Sequence, residues 1–405
     1  MELKQIPVLL LTGYLGSGKT TLLNRILNNR RGIKFAVIVN DIGEVNIDAD
    51  LIEKGGVVGQ KDDSLVALQN GCICCTLKMD LVEQLRDITR QQRFEYIVIE
   101  ASGICEPAPI AQTICSMPTM GLEYVYNGMP VVDSIVTVVD AMRMRDEFGS
   151  GNSLVRDGID GIDEEDIENL IIQQIEFCNI VLLNKASDVS ADELGLIRKI
   201  IKTLQPKAEI IETDYCDVDL DRILNTKMFD FDDVATSAAW IHEIEGHHEE
   251  DDDDDDDDDE EDEHHHGHHH HHHHHDEGEA EEYGIGTFVY YRRDAFNLGL
   301  FDEFVARHWP SNVIRAKGIC WFQDEPDVCY VFEQAGKQFS IRNAGQWYAT
   351  MPKDELKVMM DQNPGLRRDW DEKYGDRMLK LVFIGQNLDK EKIAEELDNC
   401  LERLE

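Results

Sequence analysis

Apolar and β-branched residues fall in short unbroken runs through the first half of the chain: Pro7 to Thr12, Phe35 to Asn40, Tyr96 to Glu100, Val131 to Asp140, Ile180 to Asn184 and Ala208 to Ile211. Runs of that length without polar alternation predict strands buried on both faces. Between them, Lys19 to Asn29, Asp80 to Arg90, Glu164 to Phe177 and Ala191 to Leu204 space their apolar residues three and four apart, which predicts amphipathic helices. Strand and helix in alternation predict an α/β fold over residues 1–230, a parallel sheet with helices on both faces. The pattern is expected to dissolve from about Phe231. Residues 245–282 are almost entirely Asp, Glu, His and Gly, a composition that cannot bury a core, so 231–282 reads as a disordered linker. Periodicity returns at Tyr283. Strand patterns at Gly284 to Tyr291, Val313 to Phe322, Val328 to Phe332 and Leu379 to Ile384, with helices at Leu298 to His308 and Asp389 to Leu404, predict a small α+β domain over 283–405; the stretch around Trp347 is polar.

Length and charge narrow the picture. A chain of 405 residues with 42% hydrophobic residues can fill two or three cores. Asp and Glu number 82 against 39 Lys and Arg, a net charge of -43, and the unbroken acidic run 249–263 supplies only fifteen of those carboxylates. The remainder is acidic too, which disfavours nucleic acid and anionic membrane as partners and favours small cations. No run approaches the 18 or so apolar residues of a membrane helix, and the short run Ile6 to Leu11 contains Pro7, so neither a span nor a secretory leader is expected. Three of the ten cysteines fall within four residues, a spacing that cannot staple a fold, so a reducing, cytoplasmic compartment is expected.

The most specific local signal follows the first strand. Gly13-Tyr14-Leu15-Gly16-Ser17-Gly18-Lys19-Thr20 is a full G-x-x-x-x-G-K-[ST] match and passes directly into a helical pattern. Its glycines let consecutive N–H groups turn inward around a nucleotide's phosphates, Lys19 adds a point charge, and the Thr20 hydroxyl is placed to ligate magnesium. Glu100 closes a later strand and is followed by Ala101-Ser102-Gly103: a carboxylate for the magnesium shell or the attacking water, then a glycine whose N–H can meet the γ-phosphate. The polar strand exit Asn40 to Asp48 could form the other switch. Asn184-Lys185 resembles the guanine-reading N-K-x-D signature, but its fourth position is Ser187 and the acid comes one later, at Asp188. A serine cannot answer both guanine donors with a charge, so poorer base discrimination is expected.

Two further features bear on metals. Cys72, Cys74 and Cys75 follow Gly71 within four residues; soft, closely spaced thiolates suit zinc or another late divalent ion, and with no second C-x-x-C or H-x-x-H pair to seal a tetrahedron the site should be open, as in metal transfer. Thirteen of the fifteen histidines, His247, His248, His264 to His266 and His268 to His275, lie in 246–276, where flexible imidazoles offer many weak sites for transition metals, a reservoir or capture tail.

Together these residues resemble the CobW family of metal-handling P-loop GTPases. The resemblance rests on Gly13 to Thr21, Gly71-Cys72-Ile73-Cys74-Cys75, Glu100-Ala101-Ser102-Gly103 and Asn184-Lys185, and extends to Trp309-Pro310, Arg315-Ala316-Lys317-Gly318 and Leu381-Val382-Phe383-Ile384-Gly385. It implies GTP bound by Gly13, Gly16, Ser17, Gly18, Lys19, Thr20, Thr21, Gly103, Asn184 and Lys185, with Lys19 and Glu100 in catalysis. It implies a transition metal at Cys72, Cys74 and Cys75, zinc foremost with cobalt, nickel or iron as alternatives, and delivery to a client metalloprotein. A switch carboxylate is implied at Asp41 or Glu44. The expectation is a GTP-hydrolysing metallochaperone; the alternatives are a P-loop phosphotransferase with incidental cysteines and a nucleotide-regulated metal buffer.

Overall fold

The computed structural model describes residues 4–28, 32–39, 67–69, 78–148, 165–236, 284–336, 338–362, 366–367 and 370–402. It divides into two compact units, 1–239 with 335–338, and 240–334 with 339–405.

The first unit is a seven-stranded sheet in the order β3-β2-β4-β1-β5-β6-β7. Its strands are β1 (Gln5–Thr12), β2 (Phe35–Val39), β3 (Ala67–Gln69), β4 (Tyr96–Glu100), β5 (Met129–Asp140), β6 (Ile180–Asn184) and β7 (Glu209–Thr213), and every pairing is parallel. Consecutive Leu9, Leu10 and Leu11 are all fully buried, so both faces of the central strand are covered and no polar alternation survives in its sequence. Around the sheet run α1 (Lys19–Leu27), α2 (Lys78–Arg90), α3 (Pro107–Met120), α4 (Leu122–Val125), α5 (Ala141–Phe148), α6 (Glu165–Glu176), α7 (Ala191–Leu204) and α8 (Phe231–Thr236). Leu22, Leu23 and Ile26 of α1 pack on Leu9, Leu11, Val98, Val136 and Leu182, one stripe of a helix against four strands. α7 starts on a full capping box: Ser190 accepts from the Glu193 N–H, and the Glu193 carboxylate accepts from the Ser190 N–H.

Several elements differ from expectation. α3 is apolar nearly all round and holds Pro118, so its helical period is faint. β3 is described over Ala67–Gln69, where no strand was expected. α8 stands where the pattern was expected to dissolve. Parallel pairing also puts the carboxyl ends of β1, β4, β5 and β6 on one edge, where open α/β sheets bind ligands.

The second unit is a five-stranded sheet in the order β11-β10-β9-β12-β8, from β8 (Ile285–Arg292), β9 (Val313–Cys320), β10 (Val328–Ala335), β11 (Gln338–Gln346) and β12 (Leu379–Gln386), with β12 antiparallel to both neighbours. Its helices are α9 (Leu298–Arg307), α10 (Lys353–Gln362) and α11 (Lys390–Asp398). Phe296, Phe301, Phe322, Phe332 and Phe383 make an aromatic core. β11 fills the polar stretch before Trp347; it is an edge strand whose residues are almost all exposed, so burial imposed no apolar alternation on it. Glu333 faces Lys317 at 3.1 Å, Arg315 at 3.6 Å and Arg342 at 2.6 Å. Burial alone would raise its carboxyl, but these cations hold it below the usual range. Among the described residues no helix is long and apolar enough to cross a membrane.

Candidate functional site

The loop after β1 is built on three left-handed glycines, Gly13, Gly16 and Gly18, at φ 133°, 78° and 117°. Two have no room for a side chain: a Cβ at Gly13 would lie 2.2 Å from the Val138 carbonyl oxygen, and one at Gly18 would lie 2.5 Å from Nδ2 of Asn184. The Ser17 N–H closes the loop on the Tyr14 carbonyl at 3.2 Å. Gly18 caps α1 without a side-chain acceptor, so the first amides of the helix face the loop as a ready anion site. Lys19 is buried and its Nζ donates to the Tyr14 carbonyl at 3.2 Å, across the span a phosphate would enter. The Thr20 hydroxyl donates to Oε1 of Glu100 at 3.2 Å, and Thr21 is exposed on the next position of α1.

Glu100, buried at the end of β4, leads into a turn that folds back on the loop. A Cβ on Gly103 would lie 2.8 Å from the Leu15 backbone nitrogen and 2.9 Å from its Cγ, so glycine permits this approach. Gln174 of α6, fully buried, fixes the turn by donating through Nε2 to the carbonyls of Gly103 at 3.1 Å and Cys105 at 3.2 Å. Thr137 donates to the Gln174 carbonyl at 2.9 Å and also meets the Thr12 hydroxyl at 2.8 Å, which ties the turn through α6 and β5 to the root of the loop.

On the other flank, Asn184 at the end of β6 donates to the Ser17 carbonyl at 2.8 Å and accepts from the Cys216 N–H at 3.0 Å. Cys216 donates through Sγ to the Gly18 carbonyl at 3.3 Å, and burial pushes its thiol up to about 11. Lys185, in a left-handed conformation, pairs with Asp140 at the end of β5. Ser187 gives both its N–H and its hydroxyl to Oδ1 of Asp214, at 3.1 and 3.0 Å. A cavity of ≈ 140 Å³ beside the loop is lined by Tyr14, Ser17, Asp140, Arg143, Gln174 and Lys185 among others.

The structure thus brings Gly13, Gly16, Ser17, Gly18, Lys19, Thr20, Glu100, Gly103, Asn184 and Lys185 to one edge of the sheet. Cys72, Cys74, Cys75 and Glu44 lie outside the described residues. Among the described residues no three His, Cys, Asp or Glu side chains gather as a metal site. Three residues that sequence reading passed over also belong here: Gln174, Asp214 and Cys105. Cys105, two positions after Gly103, is buried and disulfide-bonded, whereas the six other described cysteines are free. Its one sequence signal was its nearness to Glu100-Ala101-Ser102-Gly103.

Residues 7–212 match the family described as CobW/HypB/UreG, nucleotide-binding domain, and 285–401 match the Cobalamin synthesis protein cobW C-terminal domain. The chain is a member of the CobW family. This CobW-family chain is 34% identical over 410 residues to a protein of Dictyostelium discoideum named Zinc-regulated GTPase metalloprotein activator 1, covering 98% of this chain and 80% of that one. It is 29% identical to a protein of Pseudomonas aeruginosa named Zinc chaperone CobW, over 98% of this chain and 92% of that one. Among solved structures, Zn(II)-bound YjiA GTPase from E. coli aligns at 19% identity, with 98% of this chain, 100% of that one and a TM-score of 0.40.

Proposed function

We propose that the chain hydrolyses GTP and couples the cycle to delivery of a divalent transition metal, zinc foremost, to a client protein. The observation that carries this reading is the contact of Gly103 with Leu15: the turn that leads to Cys105 touches the phosphate loop itself, so a change at the γ-phosphate reaches a sulfur two residues away.

The residues present fit magnesium, because Thr20 and Glu100 bring a hydroxyl and a carboxylate, hard oxygen donors, together at the start of α1. Thr20 and Glu100 would hold the ion, which supplies positive charge to the phosphates. Lys19 leaves the Tyr14 carbonyl to neutralise the β- and γ-phosphates, and the amides of Gly16 to Thr20 surround them. Glu100 orients water on the γ side, and the Gly103 N–H meets the γ-phosphate. Release of that phosphate frees the turn, while Gln174 limits how far Gly103 and Cys105 travel.

The metal is cargo. Cys105 lies within bonding reach of a second sulfur, and in reduced protein such a pair can share a soft ion; Cys72, Cys74 and Cys75 complete a thiolate set under this reading. The 246–276 histidines serve as a capture tail. Metal affinity and nucleotide state are then reciprocally coupled.

Zinc affinity of reduced protein, measured by competition with a chromophoric chelator, should differ several-fold between the GTP-analogue and GDP forms. Deleting 246–276 should lower metal capacity but leave metal-stimulated GTP hydrolysis intact. Equal affinities in both nucleotide states would refute the coupling. Loss of all metal-dependent behaviour on deletion would point instead to a buffer.

A further inference from the structure

The N-K-x-D-like segment lacks an acid at its fourth position, and the fold supplies one from elsewhere. We infer that Asp214, on the loop after β7, is the carboxylate that reads the guanine base. The inference rests on the GTP reading above and names its specificity residue.

Two loops converge beside the C-terminal end of the phosphate loop. One runs through Asn184, Lys185 and Ser187, the other through Asp214, Tyr215 and Cys216. Asn184 binds both the Ser17 carbonyl and the Cys216 N–H, so the loops are fixed to each other and to the phosphate site. Arg25 of α1 adds a second tie, donating from Nε to the Tyr215 carbonyl at 2.8 Å. A nucleotide whose phosphates sit over Lys19 therefore extends its base toward these loops.

Guanine presents two adjacent donors there, the ring N1–H and the 2-amino group, and two donors side by side are best met by a carboxylate. Ser187 occupies the position where that acid would stand. Its N–H and hydroxyl both point at Oδ1 of Asp214 instead, 27 residues away in sequence. The serine thus acts as a clamp: it fills the acceptor sites of one oxygen and fixes the rotation of the carboxyl. Oδ2 keeps its two acceptor sites for the two donors of the base. Asp188, the neighbouring acid, is exposed, and its backbone N–H is spent on the Lys185 carbonyl within a 3-10 turn. Adenine offers a ring acceptor at N1 and no 2-amino group, so the Asp214 carboxylate would repel it.

The test exchanges donors for acceptors on both partners. Xanthine carries a carbonyl where guanine carries the 2-amino group, and an amide at 214 can donate to it. Kd values for GTP, XTP, ITP and ATP are measured by calorimetry on the full chain, wild type and D214N, S187A and D188N, with circular dichroism to check folding. Wild type should prefer GTP to XTP by at least about 100-fold. D214N should lose most of its GTP affinity and favour XTP; S187A should weaken GTP several-fold without reversing the order; D188N should behave as wild type. D214A, which removes the carboxyl without supplying a donor, should bring GTP, ITP and ATP to within a few-fold of one another. An unchanged GTP to XTP ratio in D214N and D214A, or a reversal in D188N, overturns the inference. Equal binding of GTP and ATP by wild type overturns the GTP reading itself.

Discussion

The Thr20 hydroxyl donates to the Glu100 carboxylate at 3.2 Å, joining the first turn of α1 to the end of β4 across 80 residues of sequence. Both are hard oxygen donors, and the pair sits where the phosphate loop meets the helix. Glu100→Gln keeps the shape and removes the charge. GTP hydrolysis in saturating magnesium should fall roughly 100-fold or more, while GDP affinity measured in EDTA changes little. Loss of GDP binding in EDTA would assign Glu100 to structure instead.

The close approach of Gly103 to Leu15 has its own consequence. Gly103→Ala places a methyl group 2.8 Å from the Leu15 nitrogen, closer than carbon and nitrogen tolerate, so the turn must withdraw from the loop. Hydrolysis should fall at least about tenfold with folding intact. Adding Leu15→Ala relieves the contact at Cγ and not the one at the backbone, so rescue should be partial. Full activity in Gly103→Ala alone would show that the turn need not touch the loop.

If Cys105 contributes to the metal set, Cys105→Ser should weaken zinc binding of reduced protein about tenfold or more, read by chelator competition, with GTP affinity unchanged. It should also remove the difference between nucleotide states. Wild-type zinc affinity in this variant would assign the cysteine to packing.

Alkaline pH probes the thiol that holds the second flank. Burial keeps the Cys216 proton to about 11 when folded, against 9.0 in an exposed chain. The folded state therefore retains a proton that the unfolded state releases. This stability is complete below pH 9.0 and is lost as pH rises toward about 11. Cys329 and Cys400, also raised to about 11 by burial, add to the same window. Urea midpoints should fall between those pH values. Cys216→Ala should flatten the decline by up to about 1.4 kcal/mol per pH unit. An identical slope in the variant would place the titration elsewhere.

The legible parts of the site were local. A phosphate cradle is made by consecutive backbone N–H groups, so Gly13 to Thr20 announces itself in eight adjacent letters, and Glu100 and Asn184 stand at the ends of strands that the apolar runs mark. Ser187 as a departure from pattern was legible too; its compensation was not. Asp214 lies on another loop, and no spacing rule connects residues joined only when β6 and β7 pair side by side. Gln174 is one polar residue on an amphipathic helix until α6 turns it under Gly103.

By itself the sequence determined the alternation of buried strands and helices, the phosphate loop and the concentration of thiols and imidazoles, because each is written in neighbouring residues whose chemistry needs no distant partner. The tertiary structure decided which strand ends share an edge, and so which carboxylate meets Thr20 and which meets Ser187. The physical reason is that a parallel sheet brings together residues separated by long crossovers. Hydrogen bonds across such separations form only after the core has closed beneath them.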